Sequence, residues 1–323
     1  MTGSFLDCLR GIHAATIVPM KPDFSIDEVA LAAHVSRVSA VPGINGLLVN
    51  GHAGENFVLS ISEKRRIVEI ARESCRKDCL IVSGVNHESS LEAAREAATL
   101  EEAGADGLLV FPPNSWALGH SDACVIAHHQ WVRDATSVPL MLYCAPVGAG
   151  AMAYARPVLE RLVADPRFVA IKEGSWEVAA YEENMRLIRA LRPDISVLGS
   201  GDEHLLTSYI IGSAGSQISL AAVVPELVVG LWNAAEAGDW TRARSLHEEL
   251  YPLCVAIYRD APGGRATARL KACLKLLGFL QNDTLRPPQQ PVTTAEIHAL
   301  SAALHIAGYR PILGGLHHQY VRI

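Results

Sequence analysis

The sequence predicts an α/β fold of the (β/α)8 (TIM-barrel) type, with a helical appendage at its C-terminal end. Three observations carry that expectation. Eight short apolar runs alternate with amphipathic segments between Gly11 and Ser219, at about the spacing of repeated βα units. Beyond about Ala237 the alternation stops and helical patterns follow one another without strands. No Gly-rich dinucleotide fingerprint follows the first run, which disfavours the alternative of an open doubly wound sheet.

Gly11 to Pro19 reads as the first strand, stopped by its proline. Ser25 and Glu28 read as a capping box that opens a helix to about Ala40. Gly46 to Asn50 is the second strand, followed by the tight loop Gly51-His-Ala-Gly-Glu55. Ser60 and Glu63 cap the next helix, with Ile67, Ile70, Ala71 and Ser74 on one face. Leu80 to Val85 is the third strand, and Ser89 to Ala103 the third helix, stopped at Gly104. Leu108 to Phe111 is the fourth strand, with a helix over Ser121 to Arg133. Pro139 to Cys144 is the fifth strand and Val158 to Val163 belongs to the fifth helix. Phe168 to Lys172 is the sixth strand, then a helix runs from Glu177 to Leu191 and a seventh strand over Ile195 to Leu198. A short helix after Ser200-Gly-Asp-Glu-His204 precedes the eighth strand, Gly215 to Ser219. The last helices cover Trp240 to Tyr258, Arg265 to Leu277 and Thr293 to Ala307, the last with a Thr293/Glu296 capping box. This divides the chain into a barrel over residues 1–237 and a helical extension over 238–323, whose stretch from Gly308 has no readable pattern.

Composition narrows the function. A chain of 323 residues that is 50% hydrophobic can bury a large core. Its net charge of -6, with both signs interspersed, offers no basic patch, so no nucleic-acid partner is expected. No apolar run reaches about 18 residues, so no membrane partner is expected either. The first residues carry an early acid and no long apolar core, a poor signal peptide, and a cytoplasmic location is expected. Seven scattered cysteines lack any CxxC, and Cys75 and Cys79 have no nearby histidine to complete a metal site. His128-His129 and His317-His318 read as surface pairs, so neither a metal nor a bound cofactor is expected.

One position stands out. Lys172 ends the apolar run Phe168-Val-Ala-Ile, and lysine is rarely buried without a partner. It can snorkel to water from a strand end. Alternatively it is a desolvated amine with a lowered pKa, able to form a Schiff base with a ketone. Tyr143, the loop Gly51 to Glu55 and the segment Gly199 to Asp202 also fall at strand C-terminal ends, which in such a barrel face one active site. That convergence favours the amine.

Five motifs, in order, carry a family resemblance: Gly-x-x-Gly-Glu at 51–55, Tyr-x-x-Pro at 143–146, Ile-Lys-Glu at 171–173, Ser-Gly-Asp at 200–202 and Gly-x-x-Gly-x-x-Ile-Ser at 212–219. Together the chain resembles the dihydrodipicolinate synthase and N-acetylneuraminate lyase family of class I aldolases, from Gly11 to about Leu304. The resemblance implies that Lys172 forms an imine with pyruvate or a pyruvate-containing 2-oxo acid, the iminium serving as an electron sink. It implies that Gly51, Ala53 and Gly54 hold the carboxylate on backbone amides. It further implies that Tyr143 moves protons and that the Ile218 carbonyl faces the imine. Gly201 is expected beside the substrate, and a homo-oligomer, dimer or tetramer, is expected.

The departures matter as much. His52 and Ala53 replace a hydroxyl-bearing pair, which makes His52 a candidate proton relay beside Tyr143. Asn114 stands where synthases carry a tyrosine, and Gly148 where they carry a carboxylate-binding arginine. The expected activity is therefore C–C bond making or breaking next to a Lys172 enamine. Dehydration of 2-oxo-3-deoxy sugar acids through the same imine is the alternative. Dihydrodipicolinate synthesis proper and a non-catalytic 2-oxo acid binding role rank lower. The acceptor half of the substrate is expected to be apolar, with Ala53, Phe111, Gly148, Gly174 and Trp176 as its lining.

Overall fold

A computed structural model describes residues 5–259 and 263–312. Eight parallel strands close into a barrel in sequence order: β1 (Gly11–Ala15), β2 (Ile44–Val49), β3 (Leu80–Val85), β4 (Gly107–Val110), β5 (Leu140–Cys144), β6 (Phe168–Glu173), β7 (Ser196–Gly199) and β8 (Gly215–Ile218). Side chains alternate between two layers, as the pleat requires. Leu48, Val82, Leu109, Met141, Ala170 and Leu198 fill the barrel, while Leu47, Ile81, Leu108, Leu140, Ile171 and Val197 face the surrounding helices. Both layers are buried, which is why most of the strands read as near-continuous apolar runs instead of alternating ones.

Closure at the β1–β8 seam depends on one glycine. Gly215 pairs with Gly11 and has φ +142°; a Cβ there would lie 1.9 Å from the Gly11 carbonyl oxygen. Any other residue would force the strands apart.

Helix starts follow their caps in most places. Ser60 and Glu63 form the reciprocal capping box, as do Thr293 and Glu296. The first long helix, Glu28–Ala40, differs: Asp27 is its cap and accepts from the Ala30 N–H, while Ser25 is engaged by Asp23. Asp27 lies next to the helix and has a better acceptor than a serine two residues further away. The expectation for His128 and His129 is also overturned. Both are buried in the helix Asp122–Asp134, where His129 bridges the Val125 carbonyl and the Tyr154 hydroxyl and Trp116 packs on their rings. His317 and His318, and the stretch from residue 313, lie outside the described residues.

After β8 the chain is helical, with Pro225–Glu236, Trp240–Cys254, Ala266–Leu276 and Thr294–Ile306 as the main helices. A π-helical turn, Val255–Arg259, follows directly on the second of these and brings Tyr258 to the C-terminal mouth of the barrel. The helix Ala266–Leu276 packs against the loop after β2. Among the described residues no helix is long and apolar enough to cross a membrane.

Candidate active site

The C-terminal mouth of the barrel holds a cavity of about 480 Å³. Its walls come from strand ends (Ala15, Tyr143, Lys172, Gln217, Ile218), from loops (His52, Ala53, Asn114, Ser200, Asp202) and from the C-terminal helices (Tyr258, Thr267, Leu270). Lys172 and Tyr143 are register neighbours on β6 and β5, so both side chains point to the barrel axis at one level. The Lys172 ammonium lies 5.7 Å from the centre of the Tyr143 ring.

Burial shapes the chemistry of each group. Lys172 is 9% exposed, and desolvation lowers its pKa to about 8 against the opposing pull of Asp202. Asp202 is pushed up to about 6, again by burial first, with Tyr258, the Leu220 N–H and Lys172 opposing the shift. The Leu220 N–H donates to Asp202 Oδ1 at 3.1 Å, and the Tyr258 hydroxyl shares a 2.7 Å hydrogen bond with Ser219 Oγ. Burial holds the Tyr143 phenol well above its ordinary pKa, so it keeps its proton at neutral pH. His52 goes the other way: desolvation, then the Lys172 charge, lower it to about 3. Its imidazole is neutral at any working pH and does not titrate near 6.5, as an exposed loop histidine would.

The rings of His52, Phe111 and Tyr143 form one packed triangle. Their centroids are separated by 4.4 Å (His52–Phe111), 4.8 Å (Phe111–Tyr143) and 5.4 Å (His52–Tyr143), with the last pair edge-on. The loop that carries His52 is itself tightly turned. The Gly54 and Glu55 N–H groups return to Gly51 and His52 carbonyls, and Glu55 adopts φ +58°. Thr267 Oγ1 donates to the His52 carbonyl at 3.3 Å, tying the loop to the C-terminal helices.

Of the positions singled out in the sequence, His52, Ala53, Asn114, Tyr143, Lys172 and Ile218 line this cavity. Gly51 and Gly54 sit in the same loop, buried behind it. Gly148 does not line it; that residue lies in the turn Val147–Met152 with open space where a side chain would stand. Gly201 faces a separate small cleft beside Trp176 and His204. The apolar lining expected for the acceptor is also only partly present, since Gly174 and Phe111 lie behind the wall. Asn114, Ser200, Asp202, Gln217, Ser219, Thr267 and Gln289 add polar groups to a wall that is otherwise apolar, with Ala15, Ala53, Phe57, Trp176 and Leu270. Sequence reasoning missed Tyr258, which had no local signal within its helix. Gln217 did carry one, as an amide in a buried barrel strand. Among the described residues, no group of three or more His, Cys, Asp or Glu side chains is placed to hold a metal.

The sequence matches the dihydrodipicolinate synthetase family over residues 8–307. Among curated proteins, a 4-hydroxy-tetrahydrodipicolinate synthase of Streptomyces coelicolor is 32% identical over 266 residues, covering 82% of this chain and 83% of its own length. Its counterpart from Methanopyrus kandleri is 28% identical over 288 residues, covering 89% and 91%. Among solved structures, the dihydrodipicolinate synthase of Thermotoga maritima superposes with a TM-score of 0.84 at 23% identity, over 93% of this chain and 98% of that one. A prophage protein of Escherichia coli K12 from the same family, solved with pyruvate, gives 0.83 at 23% identity, over 92% and 98%. With a barrel closed around a buried lysine and this extent of likeness, the chain belongs to the dihydrodipicolinate synthetase family and is a lyase of the class I, Schiff-base, pyruvate-type aldolase kind.

Proposed function

We propose that Lys172 is the imine-forming lysine and that the enzyme makes or breaks a C–C bond next to the enamine of pyruvate or a pyruvate-containing 2-oxo acid. The observation that carries this reading is the buried amine itself, with its pKa drawn down to about 8 beside a protonated phenol. A fraction of Lys172 is then free amine at neutral pH, which an exposed lysine near 10.5 does not supply.

The steps follow from the residues. The Lys172 nitrogen attacks C2 of the oxo acid, and the carbonyl π pair moves to oxygen, which takes a proton. The resulting hydroxyl leaves as water and a protonated imine remains. Loss of a C3 proton, or cleavage of the C3–C4 bond, leaves its electron pair in the enamine. The backbone amides of Gly51, Ala53 and Gly54 hold the carboxylate, in the manner of an anion-binding nest. Tyr143 donates to the acceptor oxygen, while neutral His52 packs on Tyr143 and offers one donor and one acceptor. The Ile218 carbonyl faces the imine and Asn114 reaches the acceptor half, while Gly148 and Gly201, outside the cavity, have no part in these steps. No metal or bound cofactor enters these steps. A homo-oligomer, dimer or tetramer, in the cytoplasm completes the proposal.

The second reading is dehydration of a 2-oxo-3-deoxy sugar acid by the same imine. The polar groups of Asn114, Ser200, Gln217, Ser219, Thr267 and Gln289 within the lining favour it, because hydroxyls need partners once desolvated. Borohydride reduction in the presence of pyruvate should add a reduced pyruvyl group to the peptide that contains Lys172. Labelling at Lys271 or Lys275 instead, or no labelling with any 2-oxo acid, would overturn the proposal. A turnover panel of aldehydes and deoxy sugar acids then separates lyase from dehydratase.

A further inference from the structure

Gln217 is fully buried, and neither its Nε2 nor its Oε1 has a hydrogen-bonding partner among the described residues. A buried amide with both ends unspent is costly unless something else occupies it. Its place in the barrel says what that something is. Gln217 pairs in register with His13 on β1, two residues before the inward-facing Ala15, so its side chain lies on the barrel's inner face. It lines the same cavity as Lys172. Strand order runs β2-β1-β8-β7-β6 around this arc, which places Gln217 between the loop after β2 and the amine on β6.

We propose that Gln217 binds the head of the 2-oxo acid, with Nε2 donating to an oxygen on C1 or C2 and Oε1 accepting from the hydroxyl formed at C2. The inference rests on Lys172 being the imine lysine. A substrate bridging the loop after β2 and Lys172 spans C1 to C2, and Gln217 stands beside that span. When the Lys172 nitrogen adds to C2, the carbonyl oxygen gains a proton and becomes a hydroxyl that can both donate and accept. An amide offers the matching pair of atoms. A carboxylate or a methyl group at this position would match only one half or neither. The C2–O bond then breaks, water departs with one further proton, and the amide is left to the C1 carboxylate through Nε2 alone. Ala53 has no side-chain donor to give that carboxylate, so Nε2 adds one to the backbone amides of the loop.

The test is the concentration dependence of borohydride trapping with pyruvate, followed by adduct mass, in wild type and in Gln217→Met. Methionine keeps the volume and removes both polar atoms. The half-saturating pyruvate concentration should rise roughly tenfold to a hundredfold, the range expected for a lost hydrogen bond to a charged group. Longer 2-oxo acids that share the same C1–C2 head should suffer equally. A loss confined to substrates with hydroxyls beyond C3 would assign Gln217 to the distal chain and overturn the proposal. So would unchanged half-saturation with a lowered melting temperature, the signature of a residue that holds only a structural water. If Gln217→Met fails to fold, a crystal structure of the reduced wild-type adduct decides the matter. Nε2 within hydrogen-bond distance of a C1 or C2 oxygen supports the proposal, and an amide turned toward His13 overturns it. Failure of wild type to trap any 2-oxo acid defeats the Lys172 reading and this inference with it. Normal wild-type trapping with an indifferent Gln217→Met defeats the inference alone.

Discussion

Lys271 donates its ammonium to the carboxylate of Glu55 across 216 positions of the chain, and both side chains are buried to within 1%. The pair joins the helix Ala266–Leu276 to the loop proposed to hold the substrate carboxylate. It is braced by the Thr284 carbonyl, which accepts from Lys271 at 2.8 Å, and by the Arg286 N–H, which donates to Glu55 at 3.2 Å. The C-terminal helices therefore do more than cover the barrel: they fix the conformation of a loop in the site.

Removing one partner is the informative change. Lys271→Met leaves Glu55 charged and buried without a counterion, which costs about 3–5 kcal/mol. The double variant Glu55→Gln, Lys271→Met removes both charges and should recover most of that loss. Urea unfolding measures the stability, and a pyruvate trapping titration reports the loop. The single variant should show weaker pyruvate binding than the double. Equal stability of single and double variants would mean the buried charge has found another partner.

The rate of imine formation should depend on pH through Lys172. The amine is the nucleophile, so the rate should rise with pH and level off above about 8, the value to which burial draws this lysine. Asp202 opposes that shift by favouring the ammonium. Asp202→Asn removes the negative charge, lowers the lysine pKa further and should move the midpoint of the rise to lower pH. Single-turnover trapping with cyanoborohydride across pH 5–9 measures it. A midpoint that moves upward in the variant would contradict the assigned electrostatics.

Much of the fold was legible because a barrel buries both faces of every strand. Runs such as Leu80–Val85 and Phe168–Glu173 stand out against polar helices, and their spacing sets the topology. Caps were legible where the reciprocal pair is in place, as at Ser60 and Glu63, and misread at Ser25, where a closer acceptor in Asp27 wins. Lys172 and Tyr143 were legible because strand ends in a barrel converge. What lay beyond the sequence was the return of the distant C-terminal helices. Nothing local to Tyr258 or Thr267 says that they reach the cavity, where they add hydroxyls to a lining that is otherwise largely apolar. His128 and His129 failed for a related reason, since their partners Ser90, Trp116 and Tyr154 come from three other segments.

Buried histidines give the protein a built-in acid limit. His34, His52 and His129 are lowered to about 3, and His13 and His128 to about 4, in each case chiefly by burial. Their folded values lie below the model-peptide 6.5, so the unfolded chain takes up protons first as pH falls. Stability is therefore retained above about 6.5 and lost progressively as pH falls from there to about 3. Each histidine contributes up to about 1.4 kcal/mol per pH unit to that slope. His34→Leu removes a ring whose two nitrogens have no partner among the described residues, and it should flatten the slope by about one proton. Urea midpoints measured from pH 7 to pH 4 test it, and an unchanged slope would show that His34 is not the group being charged.

His52 is the last residue whose role can be divided by substitution. It touches the site in two ways, as a ring packed on Phe111 and edge-on to Tyr143, and as a neutral imidazole with a donor and an acceptor. His52→Phe keeps the first and deletes the second. If the nitrogens pass protons to or from Tyr143, the variant should still form the Lys172 adduct while losing roughly 10²–10⁴-fold in turnover. His52→Ala deletes both, lets the Tyr143 ring move, and should lose at least as much. Because the imidazole is held near 3, neither variant should remove an inflection between pH 5 and pH 8 from the rate profile. Full turnover in His52→Phe alongside loss in His52→Ala would reduce His52 to a packing residue, leaving Tyr143 to exchange protons with solvent.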